Sequence, residues 1–209
     1  MRKKILITGS SGFIGHIFLK DALNKKYYVV DILRTKNKKN RKLQRLKKLF
    51  PKSYKSIFFS KKRDIEKKLK NKNFDLVVNF ATLYKNSHLN SEIPEFIDSN
   101  ITFPSIVLDT ISSKVKKFIN FGTMMQHLDG LNHTPKNFYA STKSSFEMIL
   151  NYYAFKNKKL KFYNLKLYES FFENDHRQKL IPTLFKVAIC LSRIGILTSF
   201  TRDLGQLMV

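Results

Sequence analysis

The chain has 209 residues, 43% of them hydrophobic, and a formal net charge of +25 from 40 Lys and Arg against 15 Asp and Glu. This length and composition suit one globular domain with a sizeable core. The single cysteine, Cys190, excludes a disulfide framework within the chain and fits a reducing, cytoplasmic compartment.

The first element is Ile5 to Ile7, an apolar run too short for a stable helix and suited to a buried strand. Thr8 to Ser11 is small and polar, hence a turn. From Phe13 the apolar residues Ile14, Ile17, Phe18 and Leu23 return at helical spacing. Gly9, Gly12 and Gly15 therefore fill a strand–helix junction in a chain that has only 7 glycines. A helix N-terminus carries unpaired N–H groups and the positive end of the helix dipole, so it attracts phosphate. Glycine there removes the Cβ that would keep a pyrophosphate from the backbone. A tight turn without a ligand is the plain alternative.

Strands are expected at 27–33 (YYVVDIL), 56–60 (SIFFS), 75–80 (DLVVNF), 117–121 (KFINF) and 160–167 (LKFYNLKL). Helical patterns fall between them, from Ile65, over 93–112 with a kink at Pro104, and over 141–155. Such alternation implies an α/β fold, a doubly wound parallel sheet of Rossmann type with helices on both faces. Ligands in such sheets bind at the carboxyl ends of the strands.

The positive charge is densest over residues 36–56, where Leu43, Leu46, Leu49 and Phe50 form an apolar stripe. A basic amphipathic helix of this kind can lie weakly on an anionic membrane surface. The simpler reading is a solvated helix packed on the sheet. No motif for specific nucleic-acid binding is present. No signal peptide is apparent, and the most apolar stretch, 181–200, carries Lys186 and Arg193.

The opening TGSSGFIG, with its T-G-x-x-G-x-x-G spacing, resembles the short-chain dehydrogenase/reductases, and GFIG resembles the extended subfamily acting on nucleotide sugars. The rest of the chain repeats the resemblance in order. Asp64-Ile65 matches an Asp–hydrophobic pair that contacts adenine, and Asn79-Phe80-Ala81-Thr82 matches a stretch lining the cofactor. Asn100 matches an asparagine that organises the active site. Gly122-Thr123 stands where a Ser or Thr bonds the substrate oxygen. Tyr139 to Lys143 is the Y-x-x-x-K pair. Residues four apart share a helix face. A lysine ammonium beside a phenol, together with an oxidised nicotinamide, favours the phenolate and suits the tyrosine to proton transfer.

The resemblance covers residues 1 to about 187 and makes Thr123, Tyr139 and Lys143 the expected catalytic residues. The expected dinucleotide contacts are Gly9, Ser11, Gly12, Phe13, Ile14, Gly15, Arg34, Asp64, Ile65, Phe80, Ala81, Thr82 and Asn100, with Tyr139 and Lys143 shared. The cofactor is expected to be NADP, because Arg34 lies just after the position where an acidic residue would hold the ribose of NAD. If Asp31 reaches that ribose instead, NAD is the cofactor. Met124 and Met125 occupy the Asp-Glu positions of the family's dehydratases and cannot exchange protons, which leaves an epimerase or a keto-sugar reductase. The Thr123–Tyr139 span and LKLYESFFENDHRQKLIP look most like reductases of surface-polysaccharide pathways. Glu169, Phe172 and Glu173 depart from the family's usual residues near the sugar pyrophosphate.

Family members usually run longer and carry a C-terminal lobe that holds the sugar nucleotide. Residues 188–209 contain no Lys and no Asn, which suggests a truncated or frameshifted tail after a domain of 1–187. A dinucleotide-binding protein without turnover and a basic membrane-surface module are the alternatives to an enzyme. The expected partner is a nucleotide-sugar substrate, and a homodimer is compatible with the sequence.

Overall fold

A computed structural model describes residues 2–130, 132–168 and 170. The chain divides into two compact units, 1–167 and 168–209, and every element described belongs to the first. The expectations for Glu169, Phe172, Glu173 and the 188–209 tail lie outside the described residues. No described helix is long and apolar enough to cross a membrane.

Strand β1 (Lys4–Thr8) leads through the glycine turn into α1 (Phe13–Asn24). Then come β2 (Tyr28–Arg34), α2 (Arg41–Leu49), β3 (Tyr54–Phe59), α3 (Arg63–Leu69) and β4 (Phe74–Asn79). The second half holds α4 (Ile93–Ile97), α5 (Phe103–Ile111), β5 (Val115–Thr123), α6 (Phe138–Lys156) and β6 (Lys161–Leu167). All six strands are parallel, in the order β3-β2-β1-β4-β5-β6. The order reverses between β1 and β4, and the crevice at such a switch point is where doubly wound sheets bind ligands.

Successive strand residues point to opposite faces. Ile5 and Ile7 join a core with Leu19 and Leu23 of α1 and Leu43 and Leu46 of α2. Leu6 joins the opposite core with Ile65, Leu69, Val107, Leu108, Phe118 and Phe146. The basic α2 thus spends the centre of its apolar stripe on the sheet, and only Leu49 stands out at 62% exposure. Leu43 and Leu46 are therefore held in the core rather than presented to a surface.

The helical stretch 93–112 is broken before Pro104 rather than at it. Residues Asp98–Thr102 form a π turn between α4 and α5, and Pro104 sits in the first turn of α5. Proline has no N–H to donate to the carbonyl four residues earlier, so the ladder widens just upstream. The wide turn presents Asn100 to the strand ends.

One polar row crosses this apolar sheet. The Thr8 hydroxyl donates to Asn79 at 2.6 Å, Asn79 donates to Asn120 at 2.9 Å, and Asn120 donates to Asn164 at 2.9 Å. These residues face one another in register across β1, β4, β5 and β6.

Candidate active site

The glycine turn is shaped by close approach. Gly9 has φ of +74°, and a Cβ on it would lie 2.4 Å from the Ala81 nitrogen. A Cβ on Gly15 would lie 2.4 Å from the Gly9 carbonyl oxygen. These two glycines let β1, α1 and the end of β4 meet. Gly12 differs, since a Cβ there would meet only the Gly9 oxygen, at 3.3 Å. Gly12 caps α1 with no side-chain hydrogen bond, and the first turn of α1 carries no acidic residue. Ser11 is exposed, and Phe13 and Ile14 remain 40% and 36% exposed although apolar. An uncapped helix end floored by glycine and flanked by open apolar surface fits a dinucleotide pyrophosphate.

Asp31 is buried behind this turn and bonded to it through Ser10. It is 0% exposed, and one carboxylate oxygen accepts from the Ser10 hydroxyl and, at 2.8 Å, from the Tyr54 phenol. The period of β2 points it into the interior, toward Ser10 and Tyr54. Burial pushes its carboxyl up to about 7, although the Ser10 and Tyr54 hydroxyls pull the other way. Arg34, at the end of β2, donates to the Ser99 hydroxyl at 2.8 Å and lies 3.7 Å from Asp98. Lys62 pairs with the same Asp98 carboxylate. Two cations thus share one anion beside the strand end.

Asp64 is half-buried and accepts from the Lys61 N–H at 3.1 Å. Ile65 is 0% exposed in the core, and its N–H is donated to Lys62. Its side chain packs in the core with Leu6, Leu69 and Phe118. Phe80 stacks on Phe121 with ring centroids 4.5 Å apart. The Ala81 N–H donates to the Thr8 hydroxyl at 3.1 Å. Asn100 ties the loop together. It accepts from the Thr82 hydroxyl at 3.1 Å and the Leu83 N–H at 2.7 Å, and it donates to the Thr142 hydroxyl at 2.9 Å.

Asn137 caps α6 by accepting from the Ala140 N–H at 2.9 Å. The helix then carries Tyr139 and Lys143 one turn apart, 8% and 4% exposed. Burial pushes the Tyr139 phenol up to about 12, while a hydrogen bond with Thr82 lowers it and neighbouring Tyr84 adds to the rise. Burial, then the charge of Lys166, brings the Lys143 amine down to about 8. Burial of the phenol thus works against the depression expected from the lysine. Thr123 ends β5, 8% exposed, and its hydroxyl accepts from the Met125 N–H at 3.3 Å.

The family's sequence profile, described as the NAD dependent epimerase/dehydratase family, matches residues 5–190. The chain belongs to that family. A CDP-abequose synthase of Yersinia pseudotuberculosis is 32% identical over 185 residues, 87% of this chain and 60% of that protein. The epimerase/dehydratase chain thus spans about three fifths of that relative's length. Among solved structures, the Bordetella bronchiseptica enzyme WbmH in complex with NAD+ superposes with a TM-score of 0.68 at 21% identity, over 89% of this chain and 62% of that one. The UDP-Glc/GlcNAc 4-epimerase of Campylobacter jejuni gives 0.68 at 19% identity, over 93% and 63%. These two likenesses concern the fold. The family and the relative together fit the extended, nucleotide-sugar type of short-chain dehydrogenase/reductase.

The sequence reading missed several residues that the structure brings to the site. Ser10, Thr142, Gln126, Glu147 and Lys166 all bond groups around it. Only Glu147 left a readable signal, being eight residues after Tyr139 and so on the same helix face.

Proposed function

We propose that this chain is the dinucleotide-binding and catalytic part of a nucleotide-sugar reductase or epimerase that uses NADP. The observation carrying this reading is the burial of Tyr139 and Lys143 one turn apart on α6, with Thr123 at the carboxyl end of β5 bonded through Gln126 to the same helix. The similarity to a CDP-abequose synthase supports a nucleotide-activated sugar as substrate.

Gly9, Gly12 and the α1 N-terminus would hold the pyrophosphate, and Phe13 and Ile14 would cover it. Arg34 and Lys62, against the single charge of Asp98, leave net positive charge for a 2′-phosphate. When bound, the dinucleotide supplies a hydride donor or acceptor at its nicotinamide. Tyr139 would give a proton from Oη to the sugar carbonyl oxygen during reduction, or take it back during oxidation. A phenol held near 12 is protonated at neutral pH, which suits the donor role directly. The Lys143 ammonium would stabilise the phenolate left behind. Thr123 would orient the substrate oxygen. The Thr82 hydroxyl steadies Tyr139 through a hydrogen bond.

The test is to titrate NADPH and NADH onto the purified chain by nicotinamide fluorescence, then to screen CDP-, UDP-, dTDP- and GDP-keto-sugars for NADPH oxidation. Tighter NADPH binding and oxidation lost on Tyr139→Phe support the reading. Failure to bind either dinucleotide overturns it.

A further inference from the structure

Glu147 lies one turn beyond Lys143 on α6, so Tyr139, Lys143 and Glu147 line one face at intervals of four residues. Its carboxylate is a junction. One oxygen accepts from Gln126 Nε2 at 2.8 Å and pairs with the Lys166 ammonium of β6. Gln126 is 0% exposed, and its Oε1 accepts from the Thr123 N–H at 2.9 Å. Its amide also donates to the Ser144 hydroxyl at 3.2 Å. Gly122 makes room for the arrangement. A Cβ there would lie 2.6 Å from Gln126 Oε1 and 2.8 Å from Lys166 Cδ.

From this geometry we infer that Glu147 is a positioning residue that fixes the Thr123 backbone and screens Lys143. One arm runs through Gln126 to the Thr123 N–H. The other follows from place: Glu147 stands one turn from Lys143 on α6 and pairs with the Lys166 ammonium, whose charge bears on Lys143. The Glu147 side chain is 18% exposed and that of Lys166 is 24% exposed. Burial alone would raise the Glu147 carboxyl, but Lys166, Asn164 and Gln126 outweigh it and keep the group ionised. His127 and His133 place ring nitrogens within 4.8 Å of this carboxylate. A metal there would face the Lys166 ammonium, so the structure favours the ion pair.

This role rests on the catalytic reading of Thr123 and Lys143, and its test does not require turnover. Hydrogen exchange of the Thr123 amide reads the first arm. The pH midpoint of the Lys143 side-chain resonances, assigned by their loss in Lys143→Met, reads the second. Glu147→Gln keeps an acceptor for Gln126 but loses the charge facing Lys166. Its Thr123 exchange should stay near that of the unmutated protein, while its Lys143 midpoint should fall by about half a unit or more. Glu147→Ala should show the same fall and exchange Thr123 about tenfold faster. Should Glu147→Ala not fold, Gln126→Ala replaces it and should speed Thr123 exchange with Lys143 unmoved. Unchanged exchange in the alanine variants, or an unchanged Lys143 midpoint in Glu147→Gln, overturns the role. Loss of dinucleotide binding by the unmutated chain would overturn the proposed function instead, and neither readout depends on it.

Discussion

Ser10, in the middle of the glycine turn, donates its hydroxyl to the buried carboxylate of Asp31. The loop that would receive phosphate is thereby tied to a titrating group. With its pKa raised from 3.8 to about 7, Asp31 holds a proton in the folded chain that the unfolded chain has released. This contribution to stability is complete below about pH 4 and disappears as pH rises through about 7. It amounts to no more than about 4 kcal/mol. Between pH 5 and 7 the unfolding midpoint of the unmutated protein should therefore fall relative to that of Asp31→Asn. Parallel curves for the two proteins would show that Asp31 is ionised when folded.

Arg34 and Lys62 compete for Asp98, so each is partly neutralised before any cofactor arrives. Arg34→Ala removes a charge-assisted contact, typically about 1.5–3 kcal/mol. NADPH affinity should drop about tenfold or more, with NADH nearly unchanged. Asp98→Asn should act oppositely and tighten NADPH. Equal weakening of both dinucleotides by Arg34→Ala would remove Arg34 from the 2′-phosphate site.

The three glycines of the turn should separate into two kinds. Gly9→Ala forces a side chain into a left-handed backbone and against Ala81, and Gly15→Ala strikes the Gly9 carbonyl. Each should cost about 3 kcal/mol or more in chemical unfolding. Gly12→Ala should fold with little loss, whereas Gly12→Val should fold and fail to bind NADPH. Undiminished affinity in a folded Gly12→Val protein would place the pyrophosphate elsewhere.

Tyr139→Phe leaves the ring packing, including its edge contact with Tyr84 at 4.9 Å between centroids, largely intact. It removes the proton that Oη would transfer, together with the hydrogen bond to Thr82. Turnover of a nucleotide keto-sugar should fall at least about 100-fold. NADPH affinity should stay near that of the unmutated chain. Retained turnover would assign the proton transfer to another group.

The strands and the helix that carries Tyr139 and Lys143 were legible because their signals are local. Ile5 to Ile7 had to be buried on both faces, and Tyr139 and Lys143 needed only helical spacing to share a side. The boundaries of β3 and β5 extend beyond their apolar runs, since Tyr54 and Thr123 are held by pairing with neighbouring strands. Other features depend on partners distant in sequence. The inward turn of Asp31 follows from hydroxyls at Ser10 and Tyr54. The engagement of Arg34 follows from a π turn more than sixty residues later. The raised Tyr139 phenol reflects burial, which no Y-x-x-x-K spacing encodes.

The amide row from Thr8 to Asn164 has a consequence for how the sheet finds its alignment. Parallel strands of interchangeable Ile, Val and Phe could slide by two residues and still bury apolar side chains. A slide of β4 on β5 would set Asn79 against Phe118 or Gly122 and leave its amide unanswered in a dry interior. At roughly 1–3 kcal/mol for each orphaned group, several orphans in one row amount to a steep penalty. Asparagines that carry no charge thus act as the teeth of a key. They admit a single seating of β6 on β5, and with it the one in which Lys166 comes level with Gly122.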